Sequence, residues 1–256
     1  MQTEILKQIA RLEKEHNIKI LYAVESGSRA WGFASTNSDW DVRFIYVHAK
    51  EWYLSIDDKK DSIDQITPDD IDLSGWELKK ALKLFRKSNP PLMEWLISPI
   101  IYREDTPFTD KLRGLSSIYM QPRTCMSHYL HMADGNFKEY MQTDIVRTKK
   151  YFYVLRPLLA CRWIEKNNTM PPMEFQKLLN SEVPEGELKQ EINNLLERKR
   201  VGVELGSEPK NEIIHNYIAE TITHYTDWLK IHDRSVQPDT EKLNELFRWT
   251  LETACK

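Results

Sequence analysis

Three acidic residues, Asp39, Asp41 and Asp72, together with the pair Gly27-Ser28, are the residues whose types and spacing could do chemistry. Side chains two apart on a strand point to the same side, so Asp39 and Asp41, entering an apolar run at Val42, present their carboxylates together. Two carboxylates on one face repel each other unless a cation lies between them. Mg²⁺ suits that position, since it takes one or two carboxylates plus substrate phosphate oxygens. Asp72, flanked by Ile71 and Leu73, adds a third carboxylate; Asp70 shares its face but lies nearer the loop. At Gly27 the backbone can approach a phosphate closely, and free amides at a helix start favour anions. The Ser28 hydroxyl adds a neutral donor. Alone, a Gly-Ser after a strand is an ordinary turn and an Asp-x-Asp is a solvated strand end. The ordered set is more specific: strand, Gly27-Ser28, Gly32, then Ser38-Asp39-Trp40-Asp41, then Asp72. It describes phosphoryl chemistry, with a loop gripping a triphosphate and carboxylates holding the metal that neutralises it.

Other residues are secondary candidates. Arg29 and Arg43 flank the motif, and Arg43 shares the strand face of Asp39 and Asp41, where it either braces a carboxylate or reaches a phosphate. Lys149, Tyr153 and Arg156 fall at i, i+4 and i+7 of an apolar helix; they form either a nucleotide contact or a solvated face with snorkelling stems. His128 and His131 lack a third ligand and read as surface histidines. Trp76, Trp95 and Trp163 read as packing, whereas Trp31 either stacks on a base or plugs the loop. The run Glu197 to Arg200 reads as a solvated helix face.

The elements that must position these groups follow from periodicity. A helix is predicted over 3–16, a buried strand over 18–24 and a second strand over 41–47. Residues 48–68 read as an irregular connection. A third strand contains Asp72, and Ser74 with Glu77 forms a capping-box pattern opening a helix over 76–87. Asn89-Pro90-Pro91 stops that helix and starts another, and residues 100–102 suggest a last strand. Beyond about residue 119 helical periodicity dominates, over 124–141, 143–167, 172–180, 186–205, 210–231 and 239–254, with no convincing strand. The expected organisation is a domain of strands and helices over 1–120 followed by a helical domain over 121–256.

Composition excludes little. The chain has 256 residues, 29% of them charged, and a net charge of −3, so nucleic-acid binding would need a local basic patch. Three scattered cysteines, Cys125, Cys161 and Cys255, fit a reducing compartment. No apolar run approaches the roughly 18 residues of a membrane span, so a soluble, cytoplasmic protein is expected.

The segment Gly27-Ser28-Arg29-Ala30-Trp31-Gly32, continuing to Ser38-Asp39-Trp40-Asp41-Val42-Arg43, resembles the signature of the DNA polymerase β-like nucleotidyltransferase superfamily. The blocks ESGSRAWGFASTNSDWDVRFIYV, EWYLSI, DIDLSGWELKKAL, NPPLMEWLISPIIY and YFYVLRPLLACRWI are similar to one bacterial and phage group within it, the RNA repair pathway DNA polymerase beta family. That resemblance implies an α+β nucleotidyltransferase fold, a mixed sheet flanked by helices over 1–120 with an all-α domain over 121–256 closing the nucleotide and acceptor cleft, and two Mg²⁺ (or Mn²⁺) ions. Gly27 and Ser28 would contact the triphosphate, Asp39 and Asp41 would bind both ions, and Asp72 would bind the catalytic ion and help deprotonate the acceptor. It also favours Lys149, Tyr153 and Arg156 as nucleotide contacts. The implied reaction transfers a nucleoside monophosphate from an NTP such as ATP to an acceptor hydroxyl with release of pyrophosphate, and the family name suggests RNA, such as a tRNA 3′ end, as acceptor. Transfer to a protein or small molecule, and a nucleotide-binding regulatory module with little turnover, are the rival readings.

Overall fold

The computed structural model describes residues 1–35, 38–200, 207–232, 236 and 238–254. The chain divides into two compact units, one comprising Met1–Ala30, Asp39–Tyr119 and Gln237–Lys256, the other Trp31–Ser38 and Met120–Val236.

The first unit opens with α1 (Gln2–His16), whose Ile5, Ile9 and Leu12 are buried at helical spacing. There follow β1 (Ile18–Glu25), the single turn α2 (Gly27–Ala30), β2 (Trp40–His48) and α3 (Lys50–Tyr53). Next come β3 (Ser62–Ile66), β4 (Ile71–Glu77), α4 (Leu78–Arg86), α5 (Pro90–Trp95), β5 (Ile101–Glu104), α6 (Thr106–Gly114) and α7 (Ser116–Tyr119). The strands form one sheet in the order β3-β4-β2-β1-β5. β2 and β4 run parallel, while the β1–β2, β1–β5 and β3–β4 pairs are antiparallel. On one face, Val42, Phe44, Tyr46, Ile71 and Leu73 join Ile5, Ile9 and Leu12 of α1 in a single apolar cluster. Strand alternation turns Asp41, Arg43, Asp72 and Trp76 to the other face, where Trp76 stacks on Trp95 at 4.1 Å.

Two expectations about this unit need correction. The connection over 48–68 contains α3 and the edge strand β3; only Ile63 of that strand is buried, so its alternation was too weak to read. Ser74 is not a helix cap, because β4 runs on to Glu77 and the Ser74 hydroxyl donates to Asp64 at 2.7 Å. Glu77 is itself the cap of α4, its carboxylate accepting the amides of Lys79 and Lys80 at 2.8 and 3.2 Å. By contrast, Asn89 caps α5 through the Leu92 amide at 3.1 Å, with Pro90 in the first turn.

The second unit contains α8 (Pro122–Tyr140), β6 (Ile145–Arg147), α9 (Thr148–Asn167), α10 (Phe175–Glu182), α11 (Glu187–Arg200), β7 (Ser207–Pro209) and α12 (Glu212–Ile231). The ladder β6–β7 corrects the expectation of no strand here; it is three residues long and buries only Val146 of β6. Phe33, from the segment Trp31–Ser38, sits in the core of this unit among Phe152 and Phe175, with ring centroids 5.0 and 5.6 Å away. The last helix, α13 (Glu241–Ala254), belongs to the first unit, where it packs on α4 and α6. Cys125 and Cys161 are buried free thiols, and Cys255 lies outside the described residues. Among the described residues no helix is long and apolar enough to cross a membrane.

Gly75 packs closely against Phe44 of the neighbouring strand. A Cβ there would lie 2.1 Å from Cε2 of the fully buried Phe44. Gly75→Ala should therefore destabilise the protein by about 1–3 kcal/mol through overpacking, read as a lower urea midpoint with an unchanged slope.

Candidate functional site

The pairing of β2 with β4 places Asp41 directly beside Asp72. Adjacent strands lie about 4.8 Å apart, so two carboxylates emerge side by side on one face, and each is partly exposed. The β3–β4 turn sets this register. Thr67 and Ile71 close it with a 3.0 Å backbone bond, Asp70 takes a left-handed conformation at φ 56°, and the Asp70 carbonyl accepts the Trp40 amide at 3.2 Å. Asp39 is exposed one residue ahead of β2, and its carbonyl accepts Arg29 Nε at 3.0 Å. The Arg29 guanidinium in turn lies 3.6 Å over the Trp40 ring.

Arg43 stands between the two paired carboxylates. Its Nη2 donates to Asp41 Oδ1 at 3.0 Å and to Asp72 Oδ2 at 2.8 Å, and its Nη1 donates to the carbonyl of Asp72 at 3.0 Å. Burial pushes the Asp41 carboxyl above the ordinary aspartate range; Arg43 opposes this shift, and the charges of Asp72 and Asp39 add to it.

Gly27 sits against Asp41. It adopts φ 59°, and a Cβ on it would fall 2.1 Å from Asp41 Oδ2, so both conformation and space call for glycine. The preceding Ser26 donates its amide to the Asp41 carbonyl at 2.8 Å. Ser28 follows in the single turn α2 and is partly exposed.

Sequence reasoning missed Glu25. This fully buried carboxylate accepts the Asp41 amide at 2.9 Å and the Tyr102 hydroxyl at 2.5 Å, and burial raises its pKa. The signal was present, since an acidic residue closing the apolar run ILYAVE needs internal donors if it is to be enclosed.

The donor set suits a hard divalent cation, because all its atoms are carboxylate oxygens and two of the carboxylates are neighbours by register. Among the described residues, however, no three His, Cys, Asp or Glu side chains are gathered into a finished cage, and a guanidinium occupies the space between two of the acids. A cation there would be held by Asp41 and Asp72, with Asp39 the nearest further candidate.

The remaining sequence candidates lie in the helical unit. Lys149 is exposed and Tyr153 is 37% exposed, but Arg156 is 1% exposed, so the three do not form one solvent-facing stripe. The Arg156 guanidinium lies 4.7 Å over the Trp31 ring and Nε donates to the Met173 carbonyl at 3.4 Å. Trp31 also meets the Tyr153 ring edge-on at 6.3 Å, which makes it a packed plug of its loop. The charge run at the end of α11 is not wholly solvated either. Lys199 donates to the Phe33 carbonyl at 3.0 Å and Arg200 to that of Gly32 at 3.1 Å, and burial lowers the Lys199 pKa to about 8. His128 and His131 are exposed on α8.

Similarity to known proteins extends along nearly the whole chain. The profile of the RNA repair pathway DNA polymerase beta family matches residues 1–249. The uncharacterized protein YcgL of Bacillus subtilis (strain 168) is 48% identical over 256 residues, covering 100% of this chain and 98% of that protein. The crystal structure of a nucleotidyltransferase-like protein from Exiguobacterium sibiricum 255-15 aligns over 97% of this chain and 92% of its own, at 11% identity and a TM-score of 0.32.

The raised pKa of Asp41 has a consequence for stability. The native state holds this proton more tightly than the unfolded chain, so ionising Asp41 costs stability as pH rises past the ordinary value of 3.8. Asp41→Asn should therefore melt higher than the parent near neutral pH, by about 2–4 °C for each kcal/mol recovered. The gain should vanish as pH falls through the ordinary aspartate range. Thermal scans across pH check both the sign and the window.

Proposed function

The chain belongs to the RNA repair pathway DNA polymerase beta family, and on that premise we propose that it transfers a nucleoside monophosphate from an NTP to an acceptor hydroxyl of RNA, releasing pyrophosphate. The observation that carries this reading is the side-by-side placement of Asp41 and Asp72 with Gly27 packed against Asp41.

Each residue then has a definite task. Gly27 lets the turn pack directly against the Asp41 carboxylate, and Ser28, next in that turn, offers a hydroxyl donor to a phosphate oxygen. Asp39, Asp41 and Asp72 would hold the divalent ions, which when bound neutralise the triphosphate and polarise the reacting phosphorus. Asp72 accepts the proton of the attacking hydroxyl. Arg43, held by both carboxylates, keeps them apart and oriented before the ions enter. Glu25, through the Asp41 amide, fixes the backbone that carries Asp41. The acceptor oxygen forms its bond to the α-phosphorus as the bond to the pyrophosphate oxygen breaks. Much of the barrier reduction then comes from positioning and charge neutralisation rather than from a covalent enzyme intermediate.

The test incubates purified protein with each labelled NTP, Mg²⁺ or Mn²⁺, and either total RNA or total protein. Label should enter RNA, stop on addition of EDTA, and be lost in Asp41→Asn and Asp72→Asn. Gly27→Ala should reduce transfer by about a hundredfold through displacement of Asp41. Label entering protein alone would replace the acceptor, and unchanged turnover in Asp41→Asn would remove Asp41 from the site.

A further inference from the structure

Helix α4 carries a single sign of charge. From Leu78 to Lys87 the sequence LKKALKLFRK holds Lys79, Lys80, Lys83, Arg86 and Lys87 and no acidic residue, in a chain whose net charge is −3. Lys80 is paired with Asp61 at 2.8 Å, and Arg86 donates to the Thr240 hydroxyl at 2.8 Å. Lys79, Lys83 and Lys87 are exposed and recur every fourth residue, and the charge of Lys79 acts on the nearby Glu77 carboxylate. The rise between successive members is about 6 Å.

Helix stability accounts for only part of this pattern. Cations near the C-terminus favour the helix dipole, which suits Lys83, Arg86 and Lys87, but Lys79 and Lys80 in the first turn oppose it, with Lys79 beside the capping Glu77 carboxylate. A merely solvated face normally mixes both signs. An extended run of one sign instead marks a surface for a polyanion.

A groove of about 210 Å³ runs beside the stripe, between α4 and α13. Leu82, Leu243 and Phe247 form its apolar floor, with Lys79, Lys83 and Arg86 along one lip. The Phe247 ring is fixed by an edge-on contact with Tyr53, at 5.2 Å and 86°. The matching occupant repeats an anionic group along its length and also carries flat apolar faces. Single-stranded nucleic acid does both, with phosphates for the lysines and bases for an aromatic platform. An acidic lipid surface supplies the charge but has no ring to place in the groove.

We propose that the α4–α13 groove binds single-stranded RNA, with Lys79, Lys83 and Lys87 on the phosphates and a base against Phe247, and so holds the acceptor strand of the enzyme. The inference rests on the reading of the chain as an RNA nucleotidyltransferase.

Fluorescence anisotropy of the full chain with a short, mixed-sequence, fluorescein-labelled single-stranded RNA, titrated at several salt concentrations, tests it. The parent should bind with a steep salt dependence. The triple variant Lys79→Gln, Lys83→Gln, Lys87→Gln should bind at least about tenfold more weakly, and its slope of log K against log salt should be shallower by about 2, near 0.7 for each lost phosphate contact. Phe247→Leu should weaken binding without changing that slope. Matching circular dichroism and melting curves establish that the variants fold. The proposal is overturned if the parent does not bind, if the triple variant keeps the parent's affinity and slope, or if the lysines govern capture of phosphatidylserine vesicles and not RNA. Nucleotidyl transfer measured on the same samples separates the two readings. Transfer to a non-RNA acceptor without RNA binding removes the groove and keeps the enzyme, while RNA binding without any transfer does the reverse.

Discussion

The parallel pairing of β2 with β4 is the constraint on which the rest of the site depends. In a sheet otherwise built from antiparallel neighbours, this one pair aligns Trp40 with Ile71 and every following residue in step, so Asp41 and Asp72 become neighbours although 31 positions separate them in the chain. A slip of one residue would turn Asp72 into the apolar cluster and bring Leu73 to the charged face. Burial of Ile71 and Leu73 on one side therefore enforces the display of Asp72 on the other. The sheet core and the acidic pair are two consequences of one register.

Aligned acids are costly, and the local structure offsets that cost without removing it. Arg43 bridges both carboxylates, yet burial, with the Asp72 charge adding to it, still pushes the Asp41 pKa up. Glu25, buried behind it, has the Asp41 amide and the Tyr102 hydroxyl as donors and is pushed up as well. Removing Arg43 would leave the two acids facing each other uncompensated, whereas removing Asp41 leaves Arg43 paired with Asp72. The arrangement is thus held by mutual dependence. Arg43 has a place only because two acids face it, and the acids tolerate each other only while a cation lies between them.

Much of this was legible in the sequence, and the parts that were not share a cause. The α+β class, the long helices, β1, β2, β4 and the Asn89 cap could be read because burial periodicity and turn chemistry agreed locally. Misses came where tertiary pairing overrode local pattern. Ser74 and Glu77 match a capping box, but Trp76 is held in the β2 ladder opposite Ile45 and stacks on Trp95, so the strand continues. The edge strand β3 and the short β6–β7 ladder bury one residue each among those whose burial is described in them, too little to leave a periodic trace. The allocation of Trp31–Ser38 to the helical unit and of α13 to the sheet unit was invisible for the same reason, since neither follows from neighbours in the chain. At the site, the charged motif was readable from residue types, whereas Glu25 and the bridging role of Arg43 needed the register.

The places where local rules fail coincide with the places assigned to function. Gly27 is left-handed and jammed against a carboxylate, Asp41 is charged where burial disfavours charge, and Lys79 opens a helix whose dipole repels it. Each departs from what stability alone would select, while their surroundings, the α1 cluster and the Phe44 contact, follow the ordinary rules closely. A fold under no further demand would relax such positions, since a neutral residue at Asp41 or an acid at Lys79 strengthens it. Their joint presence in one unit is what the proposed cation site at the acids and the proposed anion site at the lysines have in common.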